Sequence, residues 1–333
     1  MKRSAVLLFL CLVTAISGCS SGDDGPSIVV YNAQHEQLLV EIAPAFTKQT
    51  GIKVELRNGS DPEMAAQLIQ EGTTSPADVF LTENSPAMSL VERAGLFAKL
   101  DPATVNAIPQ QYRPASGLWT GFVARSTVLV YNTGMVKESD LPASIMDLAD
   151  PKFRGMVSFS PTGGDFQAIV AAVLDLEGEA KTRAWLAGLK ANGTVYDGNN
   201  VVLESVNSGE SAIGIIYHYY WYRDQAETGE NSDNTELYFF GNQDPGAFLS
   251  VSGAGVLASS DHAGNAEKFV RFLTSQEGQQ DLADSYALEY PLNRAVTLDP
   301  PVKPLSELDP PAVNVTDLDG DTVVDLLTEA GFL

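Results

Sequence analysis

Residues 27–56, SIVVYNAQHEQLLVEIAPAFTKQTGIKVEL, contain the pattern that decides the fold. A short β-rich run over residues 27–31 comes first, and apolar residues then recur at helical spacing as far as Phe46. Gly51 can end this helix as its C-cap, and the apolar residues at 52, 54 and 56 alternate as in a strand. The segment therefore predicts a strand, helix, strand unit of an α/β fold.

The same alternation continues downstream of this unit. Apolar spacing predicts a helix over residues 64–71, a buried strand over 77–81 and another helix over 86–93. Two β-rich stretches, residues 127–131 and 248–258, are not joined to strong helical patterns. We interpret them as strands that cross between two lobes.

The length of the chain permits two lobes. A chain of 333 residues is long enough for two domains of roughly 150 residues each, with a cleft between them. From the two crossings we place the first lobe at residues 27–126 plus 251–300. The second lobe takes residues 127–250, and the tail at 301–333 is expected to pack back on it.

The first residues have the pattern of a bacterial secretory signal. Two basic residues precede an apolar run over residues 5–16, which is too short to span a bilayer. The sequence Ile-Ser-Gly-Cys that ends at Cys19 resembles a lipobox. Residues 1–18 are therefore predicted to be removed and Cys19 to carry lipid, followed by a polar tether that occupies 19–26. The alternative is an ordinary signal peptide with an accidental cysteine, and either interpretation places the mature protein outside the cytoplasm.

Cysteine and charge counts narrow the function further. The chain has two cysteines, Cys11 and Cys19, and Cys11 lies in the segment predicted to be removed, so no disulfide is expected in the mature protein. Asp and Glu number 43 against 20 Lys and Arg, which gives a formal net charge of −23. Because such an acidic surface repels nucleic acid, functions in nucleic-acid binding are excluded.

Polar side chains follow three of the predicted strands. They lie in residues 32–36, 82–84 and 217–222, the last being an aromatic run after the apolar strand 212–216. In open α/β sheets, ligands collect beyond the carboxyl ends of the strands. Each cluster also has a structural explanation, because a histidine or an acid at a helix start can serve as a cap and neighbouring tyrosines on a strand point to opposite faces. No single cluster therefore decides the function.

Taken together, these clusters resemble the periplasmic ferric-ion-binding proteins over nearly the whole mature chain. Further segments that look like family blocks lie at residues 77–80, 124–132, 148–155, 206–210, 290–293 and 326–333. The step Tyr219-Tyr220-Trp221 is the most diagnostic. The resemblance implies an α/β fold of the two-lobed periplasmic-binding-protein type (type II), in which each lobe is a mixed sheet flanked by helices, with a hinged cleft between the lobes.

The resemblance also implies the metal ligands. In the family, a histidine and a glutamate of one lobe and two adjacent tyrosines of the other close on the iron, and the matching residues here are His35, Glu83, Tyr219 and Tyr220. Ferric iron is a small, hard cation that prefers anionic oxygen, which two phenolates and a carboxylate provide. For the two tyrosines to converge, the chain must leave strand geometry where they begin. His218 is expected at the surface or behind the ligands.

Four protein ligands leave two of six octahedral positions, which the family fills with a small anion such as carbonate or phosphate. The turn before a helix predicted at residues 167–174 can offer backbone N–H groups to an anion. With the matching family segments, the predicted anion site consists of Arg125, Thr162, Gly163, Gly164 and Asn199. Two residues depart from the family pattern, since Asp165 could repel the anion or replace it as a ligand and Tyr217 could add a phenol.

The resemblance implies the function of the substrate-binding lipoprotein of a bacterial ABC importer. It would capture ferric iron, bare or as a chelate, deliver it as a monomer to a permease in the cytoplasmic membrane, and catalyse nothing. Two alternatives stay open. The same fold serves other solutes such as polyamines, thiamine, sulfate and phosphonates, and a secreted hydrolase would use His35 and Glu83 as its acid and base.

Overall fold

The computed structural model describes residues 25–299, 301–315 and 318–333. The predicted signal peptide, Cys19 and all but the last two residues of the predicted tether lie outside these ranges. Within them, no helix combines the length and the apolar character that crossing a membrane requires.

The described residues form a mixed β-sheet flanked by helices, as the sequence predicts. Its strands, in chain order, are β1 (Ser27–Asn32), β2 (Lys53–Asn58), β3 (Val79–Leu81), β4 (Thr120–Asn132), β5 (Val157–Phe159), β6 (Gly193–Val195), β7 (Ile213–Tyr217), β8 (Thr235–Tyr238), β9 (Leu249–Val256) and β10 (Tyr290–Pro291). The strand order is β2-β1-β3-β9-β4-β7-β5-β6, and β8 and β10 also pair with β4. Pairs along each outer half are parallel, whereas β9 and β4 run antiparallel to their neighbours.

The helices include all those that the apolar spacing predicts. They are α1 (Glu36–Thr50), α2 (Asp61–Glu71), α3 (Ser85–Arg93), α4 (Pro102–Asn106), α5 (Gly164–Glu177), α6 (Glu179–Asn192), α7 (Asn199–Asn207), α8 (His218–Glu227), α9 (Ala263–Thr274), α10 (Gln276–Ala283) and α11 (Gly320–Glu329). Gly51 ends α1 with φ 74°, the left-handed conformation that a glycine C-cap adopts without strain. The predicted start of α2 is wrong by three residues, because Ser60 and Glu63 form a capping box ahead of the apolar residues.

The long strand β4 joins the two halves of the sheet. All 13 of its residues are buried, and it begins seven residues before the predicted crossing at 127–131. As far as Ser126 it pairs with β9, and from Thr127 it pairs with β7. The change of partner therefore falls at the lobe boundary that we infer from the sequence, and the division into lobes remains our proposal.

Each half of the sheet has its own apolar core. Phe46 of α1 packs against Phe269 of α9 on one half, with ring centroids 5.0 Å apart. On the other half, Phe159 of β5 contacts both Phe166 of α5 and Phe332 near the C-terminus, at 5.0 and 5.3 Å. The polar residues that follow the strands lie between these two cores.

Candidate functional site

Tyr219 and Tyr220 lie in the first turn of α8, directly after β7. Tyr217 is the last residue of the strand and also the N-cap of the helix, with φ −92° and ψ 152°. Helical geometry from His218 onward brings the two neighbouring rings into contact, with centroids 4.2 Å apart and planes inclined by 31°. The predicted departure from strand geometry is confirmed.

His35 and Glu83 reach the same place from the other half of the sheet. His35 is the N-cap of α1, and Glu83 follows β3. Nε2 of His35 lies 3.0 Å from the hydroxyl of Tyr219 and 3.3 Å from Oε1 of Glu83. The Tyr219 hydroxyl donates a hydrogen bond to the same Glu83 oxygen at 3.2 Å. Three of the four predicted ligands thus have their donor atoms in mutual contact.

The fourth predicted ligand contacts Asp165. The Tyr220 hydroxyl donates to Oδ2 of Asp165 at 3.0 Å, and Asn199 donates to the same oxygen at 2.8 Å. Nδ2 of Asn84, from the opposite half of the sheet, lies 3.4 Å from Oδ1. Tyr217 is fully buried and donates to the backbone carbonyl of Asp165 at 3.2 Å. Asp165 therefore contacts the proposed ligand Tyr220 through its carboxylate. The phenol of Tyr217 is instead hydrogen-bonded to the backbone of Asp165.

The predicted anion turn lies at the start of α5. Thr162 is exposed, Gly163 is the N-cap and Gly164 is the first helical residue. A Cβ atom on Gly164 would lie 3.3 Å from Nδ2 of Asn84, so the turn closely faces the opposite half of the sheet. The carboxylate of Asp165 occupies the first turn of this helix, where the helix dipole favours negative charge.

Arg125, also predicted to bind the anion, has its guanidinium directed to other groups. It is fully buried in β4, and Nη2 donates to Glu289 and to the hydroxyl of Ser252, both at 2.6 Å. Nη1 donates to the backbone carbonyl of Glu83. Two of the three guanidinium nitrogens are therefore already hydrogen-bonded to other groups of the protein. Contact of Arg125 with an anion stays a prediction.

The tyrosines belong to the candidate donor set in this cleft. Among the described residues, no group of three or more His, Cys, Asp or Glu side chains is arranged to hold a metal ion. The candidate donor set therefore combines the phenol oxygens of Tyr219 and Tyr220 with His35 and Glu83.

Residues 32–280 match the family described as bacterial extracellular solute-binding proteins. The chain belongs to this family. This solute-binding protein is 52% identical over 314 residues to the Fe(3+)-binding periplasmic protein of Serratia marcescens, and the match covers 94% of this chain and 92% of the relative. It is 41% identical over 268 residues to the major ferric iron-binding protein of Neisseria meningitidis serogroup B, with 80% and 81% covered.

A solved structure gives the same result. The crystal structure of iron-bound HitA from Pseudomonas aeruginosa matches with a TM-score of 0.88 at 42% identity, over 92% of this chain and 100% of that one. These similarities confirm the resemblance to the periplasmic ferric-ion-binding proteins and the two-lobed fold. They also confirm that this is an extracytoplasmic binding protein and not an enzyme, which removes the hydrolase alternative.

Burial dominates the electrostatics of the cleft in this solute-binding protein. It raises the pKa of Glu83 to about 7 and that of Asp165 to about 7, and Arg125 lowers both. The charges of Asp61 and Glu289 raise the pKa of Glu83 further, and the charge of Glu83 raises that of Asp165 further. Burial and the charge of Asp165 raise the pKa of Tyr219 and Tyr220 well above that of a free phenol. A highly charged cation would offset this loss of hydration, so the cluster suits a cation that displaces protons.

His218 is buried, so of its two expected placements the surface position is wrong. Its Nδ1 accepts the backbone N–H of Ser126 at 3.2 Å, and Nε2 lies 3.1 Å from the carbonyl of Leu288. Desolvation lowers the pKa of His218 to about 3, and the ring stacks on Tyr290 at 4.4 Å. The neutral imidazole thus fixes the start of α8 beneath Tyr219.

Two buried acids at the site are absent from the sequence-based prediction. Glu289 is 1% exposed and pairs with Arg125, and its Oε1 lies 3.9 Å from Nε2 of His35. Asp61 is 8% exposed and accepts hydrogen bonds from the loop that carries Glu83. Glu289 stands between Leu and Tyr in an apolar stretch, a sequence signal that could have indicated a buried acid. Asp61 has no such signal, because it looks like an ordinary acid in the first turn of a helix.

Proposed function

We propose that this solute-binding protein captures ferric iron between its two lobes with His35, Glu83, Tyr219 and Tyr220 as ligands. The observation that carries the proposal is the mutual contact of donor atoms from opposite halves of the sheet, at 3.0, 3.2 and 3.3 Å. Neighbouring donors around an octahedral ion with bonds of about 2.1 Å are about 3 Å apart. The side chains are thus already spaced for a small ion, and the names of the relatives indicate which ion it is.

We further propose that Asp165 is a fifth ligand, in place of the expected carbonate or phosphate. Tyr220 and Asn199 already donate to this carboxylate, which lies at the helix start where an anion would bind. Two phenolates with Glu83 and Asp165 give four negative charges against three on the iron. A bound dianion would bring further negative charge into a buried site, which is unfavourable.

Replacement of both Tyr219 and Tyr220 by Phe tests the ligand assignment. We expect the visible tyrosinate-to-iron band of the loaded protein to disappear and the bound iron, measured by elemental analysis, to fall with it. Tyr222→Phe is the matched control, because this buried tyrosine lies on the same helix and its hydroxyl accepts from the backbone of Lys303. An unchanged band in the double variant would refute the assignment.

Iron titration in buffer freed of carbonate and phosphate tests the role of Asp165. The wild-type protein should bind iron and show the band without either anion. Asp165→Ala should bind weakly in this buffer and recover when phosphate is added, because the anion can then occupy the position of the carboxylate. A wild-type protein that needs the anion would contradict the proposal and restore the anion site predicted at Arg125, Thr162, Gly163, Gly164 and Asn199.

We also propose delivery of the iron by a monomer to an ABC permease in the cytoplasmic membrane, with lipid on Cys19 as the anchor. The family and the names of its relatives support an extracytoplasmic binding protein of this kind. Cys19→Ser should abolish labelling with radioactive palmitate and release the protein from the membrane fraction, whereas retention of both would sink the anchor assignment.

A further inference from the structure

Asp61 is a buried acid that the proposed iron site leaves without a role. It is the first residue of α2, where an acid usually complements its own helix. That end of α2 is already capped, because Glu63 accepts hydrogen bonds from the N–H and the hydroxyl of Ser60. The side chain of Asp61 instead turns inward and is 8% exposed. Its partners therefore lie outside its own helix.

Those partners are the backbone groups of the loop between β3 and α3. Oδ1 of Asp61 accepts the N–H of Glu83 at 2.9 Å, and Oδ2 accepts the N–H of Asn84 at 2.9 Å and its side-chain amide at 3.2 Å. Asn84 is the N-cap of α3 and makes no side-chain cap of its own. Asp61 thus supplies an acceptor to the start of a helix that is not its own.

The backbone carbonyl of Glu83 is also fixed by hydrogen bonds. Its carbonyl accepts from Nη1 of Arg125 and, at 3.0 Å, from the hydroxyl of Ser252. Both backbone groups of Glu83 are therefore fixed by side chains of other elements, and one charged group acts on each. The Glu83 side chain then extends toward Tyr219 and His35, where its Oε1 makes the contacts described above.

We propose that Asp61 is a positioning residue for the iron ligand Glu83. This inference rests on the proposed function. Two parallel hydrogen bonds to consecutive N–H groups need two acceptor oxygens, and these bonds are stronger when the acceptor is charged. Asparagine at this position would offer one oxygen and would turn an NH2 group toward the second N–H. The loop would then lose one bond, and Glu83 would lose its fixed direction.

The test compares iron affinity in Asp61→Asn with that of the wild-type protein at pH 8, by competition with citrate. Residues that orient metal ligands typically change affinity by about 10- to 100-fold, and we expect a loss in this range. The tyrosinate band should keep its position, because the phenols are untouched. Glu63→Gln is the matched control, since it weakens the cap of the same helix at an exposed site and should leave affinity within about twofold.

A double-variant cycle separates positioning from a general structural effect. If Asp61 acts through Glu83, adding Asp61→Asn to Glu83→Gln should cost no further affinity, because the group being positioned has lost its charge. An equal loss in both backgrounds would overturn the proposal, as would wild-type affinity in Asp61→Asn. Should that variant fail to fold, Asp61→Glu keeps the charge and displaces the carboxylate, and wild-type affinity in it would again overturn the proposal. A wild-type protein without an iron band would instead refute the proposed function.

Discussion

The number of protons released on iron binding should depend on pH in a way that the structure sets. Tyr219 and Tyr220 are protonated at all accessible pH, because burial raises their pKa, so they release two protons on ligation. Glu83 and Asp165, each with a pKa of about 7, are mostly protonated at pH 6 and mostly ionised at pH 8. We therefore expect release of nearly four protons per iron at pH 6 and of little more than two at pH 8.

The direction in which iron affinity changes with pH follows from mass action. Protons compete with iron for the same oxygens, so affinity falls as pH falls, with a slope of about four log units per pH unit below pH 7 and about two above. Titration with ferric nitrilotriacetate in a pH-stat measures the release, after subtraction of the protons taken up by the freed chelator. Asp165→Asn should lower the count at pH 6 and leave it nearly unchanged at pH 8. Fewer than about two protons at pH 8 would refute phenol ligation, and equal counts at both pH values would refute the raised carboxyl pKa values.

Three further outcomes can be checked on the purified protein. The folded-state pKa of Glu83 is raised from 4.5 to about 7, so its charge destabilises the metal-free fold as pH rises through this window. By calorimetry, Glu83→Gln should unfold at a temperature several degrees above that of the wild type at pH 8, and the difference should shrink toward pH 5. Gly164→Ala would place a Cβ 3.3 Å from Nδ2 of Asn84 across the cleft, and should weaken iron affinity several-fold by competition assay without lowering the metal-free unfolding temperature. Gly188→Ala would bring Cβ to 2.4 Å from that of Ala149, and a loss of about 1–3 kcal/mol in unfolding free energy is expected from urea titration.

The sequence contains most of the fold in local signals. The spacing of apolar residues in α1 and the glycine that ends it suffice to predict that helix, and the burial of β3 follows from its apolar composition. The start of α2 is harder, because the residues of its first turn, including Asp61, are polar and lie outside the apolar period. The extent of β4 before residue 127 depends on its pairing with β9, which is a contact between distant segments.

The residues of the candidate site likewise fall into those that local sequence patterns place and those that only distant contacts place. His35, Glu83 and the tyrosine pair each stand at the end of a strand, so their positions follow from local pattern and from the resemblance to a family. The partners of Arg125 do not, because Glu289 comes from a segment 164 residues further along the chain. No spacing rule connects two such residues, and only the completed fold shows that this guanidinium neutralises a buried acid.

The position of β9 between β3 and β4 bears on how the protein is made. Val79 of β3 pairs with Val256, so the sheet of the first lobe is completed by a strand that is synthesised after nearly all of the second lobe. Closing a loop of this length is entropically costly, and chains rich in such distant pairings fold slowly. The β3 edge of the β1–β3 unit thus stays unpaired until β9, in the last third of the chain, is available. Formation of this part of the sheet is therefore expected to be a late step in folding.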